Sequence, residues 1–299
     1  MFNSNYMNSR RNFIKNAGLA AAGVALLPSF ASAITTAKRK VGLQLYTLRE
    51  QIPHDVKGVI EKIAKAGYKE VETYGYSAAK GYWGMDAKSF KDLLKANGLT
   101  SPSGHFGIDD FISSGNKELL KPLIEGAAAI DNKYFTIAYL GDSVRKTLED
   151  YKKVIGRLNE AAALVNQSGM KLAYHNHAFE FDKHEGGATG YDIMLNGSDK
   201  NLMRFEMDLY WVVRSGNDPV AFFNKYPGRF VMWHVKDMDK ANNGINTEVG
   251  SGKIDFKNIY KHAKQAGLEH LIVEQENFSM DPFASIKQSF DYVDHELIK

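Results

Sequence analysis

The stretch from Val41 to Tyr74 reads VGLQLYTLREQIPHDVKGVIEKIAKAGYKEVETY, and its pattern of apolar residues indicates the fold. A short apolar segment leads into a segment with apolar residues at helical spacing, and a second short apolar segment follows. Gly67 stands where the helix should stop, because glycine adopts the left-handed conformation of a helix C-terminus at little cost. The stretch therefore predicts a strand, a helix and a second strand, which is the repeating unit of a parallel sheet.

The same unit recurs eight times after Lys40. The predicted strands are Val41–Thr47, Tyr68–Tyr74, Leu99–Phe106, Lys133–Leu140, Lys171–His177, Met203–Leu209, Phe230–Lys236 and His270–Glu276. The predicted helices lie near Val56–Ala66, Asp86–Asn97, Lys117–Asp131, Val144–Ser168, Tyr191–Asn196, Pro219–Tyr226, Phe256–Ala266 and Pro282–Leu297. Strands that alternate with helices at this spacing are typical of an α/β protein with a parallel sheet.

Eight such units predict a (β/α)8 TIM barrel that occupies residues 34–299 as one domain. Eight parallel strands close a barrel and leave no edge strand unpaired. The alternative is an open, doubly wound sheet, which normally carries a glycine-rich phosphate turn after its first strand. The first predicted strand is followed instead by Leu48 and Arg49, so the barrel is favoured.

Residues 1–33 have the features of a twin-arginine signal peptide. Arg10 and Arg11 precede an apolar run from Ala17 to Leu27, and Ala31-Ser32-Ala33 offers a small-residue cleavage site. A membrane-spanning helix needs roughly 20 apolar residues, so this shorter run argues against a stable membrane anchor. We therefore predict export to the periplasm with removal of this segment.

Charge and cysteine content exclude several classes of protein. The chain has a formal net charge of +3, and loss of Arg10, Arg11 and Lys15 with the signal would leave a neutral protein. Proteins that bind nucleic acids carry a basic excess, so no nucleic-acid partner is expected. The chain contains no cysteine, which excludes disulfides, cysteine nucleophiles and thiolate metal sites.

Polar residues gather at the carboxyl ends of the predicted strands, where a barrel of this type has its active site. The last four strands supply His175, His177, Asp208, His234, Lys236, Glu274 and Glu276. The first three supply Gln44, Tyr46, Glu72 and His105. A single such residue has an ordinary structural explanation, but burying several ionisable groups is costly unless they are paired or bind a metal. Their convergence predicts a metal site at this rim.

Segments that carry these residues resemble the sugar phosphate isomerase/epimerase group of xylose isomerase-like barrels. They read VGLQLYTLRE, GYKEVETYGY, YHNHAFEF, EMDLYWVVRSGNDP, WHVKD and EVGSGKIDF, and they are spread from Val41 to Phe256. The resemblance covers the whole chain after the predicted signal peptide. The resemblance implies one divalent ion held by Asp208, His234 and Glu274. His175 stands where most relatives have a glutamate, and we expect it to be the fourth ligand. Two nitrogen and two carboxylate ligands favour Mn, Zn or Co.

The resemblance also implies chemistry beside a sugar carbonyl, in which the ion stabilises the enediolate left by proton removal. Glu274 or Glu72 is expected to take the proton, and His177 to polarise or protonate a substrate oxygen. The predicted substrate-binding residues are Gln44, Tyr46, His105, Trp211 and Lys236. Relatives that epimerise use two glutamates on opposite faces of the substrate. The histidine at position 175 therefore puts a symmetric two-base reaction in question.

Three functions remain open from the sequence. The first is an isomerase or epimerase that acts on an unphosphorylated keto- or aldo-sugar, since an exported enzyme seldom meets sugar phosphates. The second is a lyase or dehydratase that eliminates from a keto-sugar or a 3-keto-glycoside. The third is a secreted sugar-binding protein without activity. A small carbohydrate is the expected partner in each case, and a homo-oligomer is left open. Relatives that cleave abasic DNA need more metal ligands and a basic groove, which are not expected here.

Overall fold

The computed structural model describes residues 39–299, so the predicted signal peptide lies outside the described residues. Eight parallel strands alternate with helices and close into a barrel, which confirms the predicted (β/α)8 fold. The barrel strands are β1 (Val41–Gln44), β2 (Glu70–Thr73), β3 (Thr100–Phe106), β4 (Tyr134–Ile137), β5 (Lys171–His175), β6 (Met203–Asp208), β7 (Phe230–Val235) and β10 (His270–Val273). They follow one another around the barrel in chain order, and β10 pairs with both β7 and β1. Two short strands after β7, β8 (Asp237–Met238) and β9 (Asn246–Thr247), form an antiparallel hairpin.

The helices pack around the outside of the barrel strands. They are α1 (Val56–Ala66), α2 (Ala87–Ala96), α3 (Asp109–Ser114), α4 (Lys121–Ala129), α5 (Leu148–Gln167), α6 (Gly190–Gly197), α7 (Leu209–Arg214), α8 (Pro219–Lys225), α9 (Phe256–Tyr260), α10 (Ala263–Ala266) and α11 (Pro282–Tyr292). Short 3-10 turns lie at Leu45–Leu48, Lys117–Leu119, Asp142–Val144, Phe179–Phe181 and Glu185–Gly187, and a π-helical turn at Val293–Leu297 follows α11. Within residues 39–299, no helix combines the length and the apolar character needed to cross a membrane.

Apolar side chains fill the lower part of the barrel beneath the polar strand ends. Ala173, Met232 and Ile272 are buried in one small cluster with Tyr134. Each of the first three lies two residues before a polar residue at the end of its strand or just after it, and side chains two apart in a strand point to the same face. The barrel interior is therefore apolar at its base and polar toward the carboxyl ends of the strands.

Several predicted strands extend beyond the carboxyl ends of the strands in the structure. The first was predicted to reach Thr47, but β1 ends at Gln44, whose side-chain oxygen accepts a hydrogen bond from the backbone N–H of Tyr46 at 2.9 Å. Asp208 likewise ends β6 and caps α7, because its Oδ1 accepts from the Trp211 N–H at 3.0 Å. Polar side chains at the strand ends thus capture backbone donors and turn the chain away from the sheet.

The glycine-rich segment after β9 is held against β8 by one carboxylate. Asp237 accepts hydrogen bonds from the N–H groups of Gly250 at 2.9 Å, Gly252 at 3.0 Å and Ile254 at 3.1 Å. A Cβ atom at Gly252 would collide with the Asp237 carboxylate and the Met238 carbonyl oxygen. Glycine is needed there because the backbone comes so close to the carboxylate.

Glu180 is a fully buried carboxyl group in the turn after β5. Its Oε1 accepts from the Tyr174 hydroxyl at 2.7 Å, and its Oε2 accepts from the His177 N–H at 2.9 Å. Burial raises the pKa of Glu180 from an ordinary 4.5 to about 7. At pH values between 4.5 and about 7, Glu180 is therefore protonated in the folded protein and ionised in the unfolded chain.

We expect the stability of the protein to fall as the pH rises from about 5 to about 8. A carboxyl group whose pKa is raised by folding stabilises the folded state fully at pH values below its unfolded pKa. This stabilisation is lost as the pH rises through its folded pKa, and the free energy of unfolding changes by at most about 3 kcal/mol. Glu180→Gln should flatten this slope and be more stable than the unaltered protein at pH 8. Urea unfolding at several pH values, with a chelator present, measures the difference.

Glu248→Gln is the control, because the pKa of Glu248 is lowered although burial opposes this. An equal dependence of stability on pH in the unaltered protein and in Glu180→Gln would contradict the assignment.

Candidate metal centre and cavity

Four polar side chains from adjacent strands converge at the carboxyl end of the barrel. His175 ends β5, Asp208 ends β6, His234 lies in β7 and Glu274 follows β10. One ligand atom of each lies within 4.8 Å of the other three, and all four residues are buried. His234 Nδ1 is 3.1 Å from both His175 Nε2 and Glu274 Oε2. Nitrogen and oxygen ligands about 2 Å from one ion are separated by about 3 Å, so this spacing suits a shared cation.

The charges in this centre also favour a cation. Four carboxylates are buried in and beside it: Glu72, Glu206, Asp208 and Glu274. Burial would lower the pKa values of Lys236, His105 and His234, but the nearby carboxylates raise all three. Without an ion, four carboxylates therefore face three positive charges. Asp208 Oδ2 is buried and has no hydrogen-bond partner among residues 39–299. Because buried carboxylates are costly without compensation, the donor set fits a divalent ion.

A second polar cluster adjoins the first and shares His234 with it. His234 Nε2 lies 2.7 Å from Glu72 Oε2, to which Gln44 Nε2 also donates a hydrogen bond at 2.7 Å. His105 Nε2 lies 2.7 Å from Glu206 Oε2 and 3.1 Å from Glu72 Oε2. A proton on His234 Nε2 satisfies the contact with Glu72. Without an ion, burial would lower the pKa of His234, but Glu206 and Glu274 raise it well above its usual range, so Nδ1 also carries a proton. A metal ion would displace that proton and bind Nδ1 while Nε2 keeps its contact with Glu72.

Burial and neighbouring charges set the protonation of the imidazoles. Burial would lower the pKa of His105, but the carboxylates of Glu72 and Glu206 raise it to about 10. Burial lowers the pKa of His175 to about 3, and the imidazoles of His234 and His105 add to this effect. His175 is therefore neutral, which is the form that binds a metal ion.

A cavity of about 400 Å³ opens onto the first cluster. Four predicted site residues line it together with the cluster members His175 and Glu274: Tyr46, His105, His177 and Trp211. Among the described residues, the lining contains three histidines and two glutamates and neither lysine nor arginine. His177 lies with its ring parallel to that of Phe179, and burial lowers its pKa well below the usual range, so its imidazole is neutral.

Besides the predicted metal ligands Asp208 and His234, three predicted catalytic or substrate-binding residues lie behind the cavity wall. Gln44 and Glu72 are fully buried and hydrogen-bonded to each other, and neither lines the cavity. Lys236 is also fully buried; its ammonium group donates to Glu274 Oε2 at 3.3 Å and to the Glu276 carboxylate. Gln44 and Lys236 were predicted to bind substrate and Glu72 to take a proton. Each of them contacts a residue that lines the cavity, and their predicted roles stay predictions.

Sequence reasoning missed two residues of this region, Glu206 and Tyr139. Glu206 lies two residues before Asp208 on β6 and so points to the same face of the strand. The alternation of side chains along β6 that points to Asp208 points equally to Glu206. Tyr139 lines the cavity just after β4, a strand for which no ionisable residue drew attention.

Comparison with known proteins agrees with this architecture. Residues 60–295 match the family model of the xylose isomerase-like TIM barrel. An inosose dehydratase from Lacticaseibacillus casei is 24% identical over 279 residues, which cover 79% of this chain and 87% of that protein. An inosose dehydratase from Clostridium perfringens is 30% identical over 145 residues, covering 43% of this chain and 48% of that one.

Among solved structures, a sugar phosphate isomerase/epimerase from Parabacteroides distasonis is 25% identical and has a TM-score of 0.77. The match covers 92% of this chain and all of that one. The family model covers most of the barrel, and the relatives named here are enzymes of sugar chemistry. The chain belongs to the xylose isomerase-like TIM barrel family.

Proposed function

We propose that this protein is a metal-dependent lyase that removes a proton beside the carbonyl of an unphosphorylated keto-sugar and eliminates a neighbouring oxygen substituent. The observation that carries the proposal is the pairing of a four-ligand centre with a single cavity-lining carboxylate in that centre, Glu274. The names of the curated relatives, inosose dehydratases, support elimination.

His175, Asp208, His234 and Glu274 would hold the metal ion. A divalent ion there would act as a Lewis acid that polarises the substrate carbonyl and lowers the pKa of the adjacent C–H group. Lys236 keeps Glu274 ionised: burial alone would raise the pKa of Glu274, but Lys236 and His234 hold it well below its usual range. His105 and His177 lie where they can hydrogen-bond to substrate hydroxyl groups.

Glu274 is the proton acceptor in this scheme. Its Oε2 contacts Lys236 and His234, whereas its Oε1 makes no hydrogen bond within residues 39–299. The Oε1 atom takes the proton from carbon, and the electron pair of the C–H bond forms a double bond as the neighbouring C–O bond breaks. Glu274 then returns the proton to the departing oxygen, so that an unsaturated ketone and water or an alcohol leave.

Isomerisation is the second candidate, and the likeness to the Parabacteroides distasonis protein favours it. Glu274 again takes the proton from carbon, but it returns that proton to the adjacent carbon, and the hydroxyl proton of the adjacent carbon passes to the former carbonyl oxygen, so no C–O bond breaks. A symmetric two-base epimerisation has less support, because Glu72 lies behind the cavity wall.

The charges of the cavity support an unphosphorylated substrate. Within residues 39–299, its lining includes Glu274 and Glu276 and neither lysine nor arginine. Lys236, close behind the wall, is already paired with both glutamates. A phosphate group beside these two carboxylates would make like-charge contacts, which cost binding free energy.

Deuterium incorporation distinguishes the two reactions. The metal-loaded protein is incubated in deuterated water with free keto-sugars and with 3-keto-glycosides, and the products are followed by NMR. Elimination releases the substituent and gives an unsaturated ketone, whereas isomerisation places deuterium beside a carbonyl and retains the substituent. Loss of either signal on chelation supports metal dependence; turnover that a chelator leaves unchanged would contradict it.

Glu72→Gln should weaken metal binding, because Glu72 holds the Nε2 side of His234. Loss of such a partner typically costs about 10- to 100-fold in metal affinity. Glu70→Gln is the matched control: Glu70 is a buried glutamate on the same strand, and it contacts His270 at 2.7 Å outside the cluster. Competition with a chelating dye measures both affinities. Equal affinities in the two variants would remove Glu72 from this role.

A further inference from the structure

Two tyrosine rings remain exposed at the mouth of the cavity. Tyr46 is 39% exposed and Tyr139 is 45% exposed, yet both line the cavity that ends at His175 and Glu274. Tyr46 follows β1 and Tyr139 follows β4, three strands apart in a barrel of eight, so the rings approach the mouth from different sides. Exposed aromatic surface beside a cavity is typical of a binding site.

The Tyr139 ring is held in place although it is exposed. Arg145 Nη2 donates a hydrogen bond to its hydroxyl at 3.0 Å. The rings of His177 and Phe179 each lie 5.3 Å away at angles of 86° and 81°. The guanidinium of Arg145 lies 3.6 Å from the Phe179 ring centroid, which completes the support. A ring fixed in this way loses little conformational entropy when a ligand packs against it.

Tyr46 is supported in a similar manner on the other side. Its ring meets Tyr74 edge-on at 5.1 Å, and Tyr74 in turn contacts Trp83 at 5.1 Å. The Arg49 guanidinium lies 4.9 Å from the Tyr46 ring centroid. Both exposed rings therefore belong to aromatic groups that extend the cavity wall outward from the metal ligands.

The charged groups at the mouth suit an uncharged occupant. Arg145 is engaged by the Leu140 carbonyl oxygen at 2.8 Å and by the Asp142 carboxylate. Arg49 donates to the Glu276 carbonyl oxygen at 3.1 Å. Sugar rings present apolar C–H faces to aromatic rings and hydroxyl groups to a polar rim, and the mouth offers both surfaces.

We propose that Tyr46 and Tyr139 form a subsite for a second, uncharged sugar ring, so that the substrate is a glycoside of at least two units rather than a monosaccharide or a sugar phosphate. The inference rests on the proposed function, because the reacting ring is placed at the ligand cluster. The second ring then lies between the two tyrosines, and in the elimination it is part of the departing alcohol.

Calorimetric titration of the zinc-loaded full chain tests this subsite without any turnover. The probes are glucose, maltose, cellobiose and glucose 6-phosphate, which separate the effect of a second ring in either linkage from that of a phosphate. One disaccharide should bind about tenfold more tightly than glucose, in keeping with one added aromatic contact. Glucose 6-phosphate should bind no better than glucose.

Substitutions at position 139 test whether Tyr139 causes the tighter binding of the disaccharide. Tyr139→Ala should remove most of the disaccharide gain and leave glucose affinity within about twofold, and Tyr139→Phe should keep the gain because the ring remains. Ile245→Ala is the matched control: Ile245 is 42% exposed on the hairpin loop and outside this cavity.

Equal affinity for glucose and both disaccharides in the unaltered protein overturns the subsite, and so does an equal loss for all probes in Tyr139→Ala. Neither result touches the lyase proposal, which fails separately if chelation leaves turnover unchanged.

Discussion

Asp208→Asn is expected to lower metal affinity by at least about 100-fold and to remove activity at ordinary metal concentrations, while the barrel remains folded. Loss of an outer partner alone costs about 10- to 100-fold, and an anionic ligand contributes more than that. Asparagine keeps the side-chain oxygen that accepts from the Trp211 N–H, so the cap of α7 survives. Metal content by mass spectrometry and affinity by dye competition measure the effect.

A matched asparagine substitution separates ligand loss from cap effects. Asp218 caps α8 through a hydrogen bond from the Val220 N–H at 2.9 Å, and it is not part of the ligand cluster. Asp218→Asn should bind metal as the unaltered protein does. The Asp208→Asn variant without metal should be no less stable than the unaltered protein without metal, because one buried carboxylate has been neutralised. Undiminished metal binding in Asp208→Asn would remove this residue from the proposed site.

Glu274→Gln should lower kcat by about 10²- to 10⁴-fold even at saturating metal concentration, because an amide cannot take a proton from carbon. The side chain keeps its size and its hydrogen-bond acceptor beside His234 and Lys236. Wash-in of deuterium at the carbon beside the carbonyl should fall by the same factor. A fall in metal affinity alone, with kcat restored at saturation, would show that Glu274 only binds the ion.

Glu276→Gln provides the comparison, because Glu276 also lines the cavity and also contacts Lys236. It follows Glu274 by two residues and lies farther out, with 35% of its side chain exposed. We expect its kcat to stay within about tenfold of the unaltered value, since it is outside the ligand cluster. The opposite ranking of the two variants would move the role of proton acceptor to Glu276.

The sequence predicts the barrel well because each strand and helix is marked by features of its own short segment. The alternation of short apolar segments with amphipathic segments indicates which faces are buried. A glycine that ends a helix, such as Gly67, marks the helix boundary through a single backbone conformation. Gly67 has a φ of 116° in the structure. The ends of the strands were predicted less well, since capture of backbone donors by Gln44 and Asp208 shortens or turns them.

Residue order alone shows which strands carry polar residues at the rim and which of these share a face, because side-chain direction alternates along a strand. Barrel closure then brings His175, Asp208, His234 and Glu274 within 4.8 Å of one another. The contacts behind these four residues follow only from the folded barrel. A contact such as that between His234 and Glu72 joins residues 162 positions apart, so its geometry depends on the closed barrel rather than on either strand.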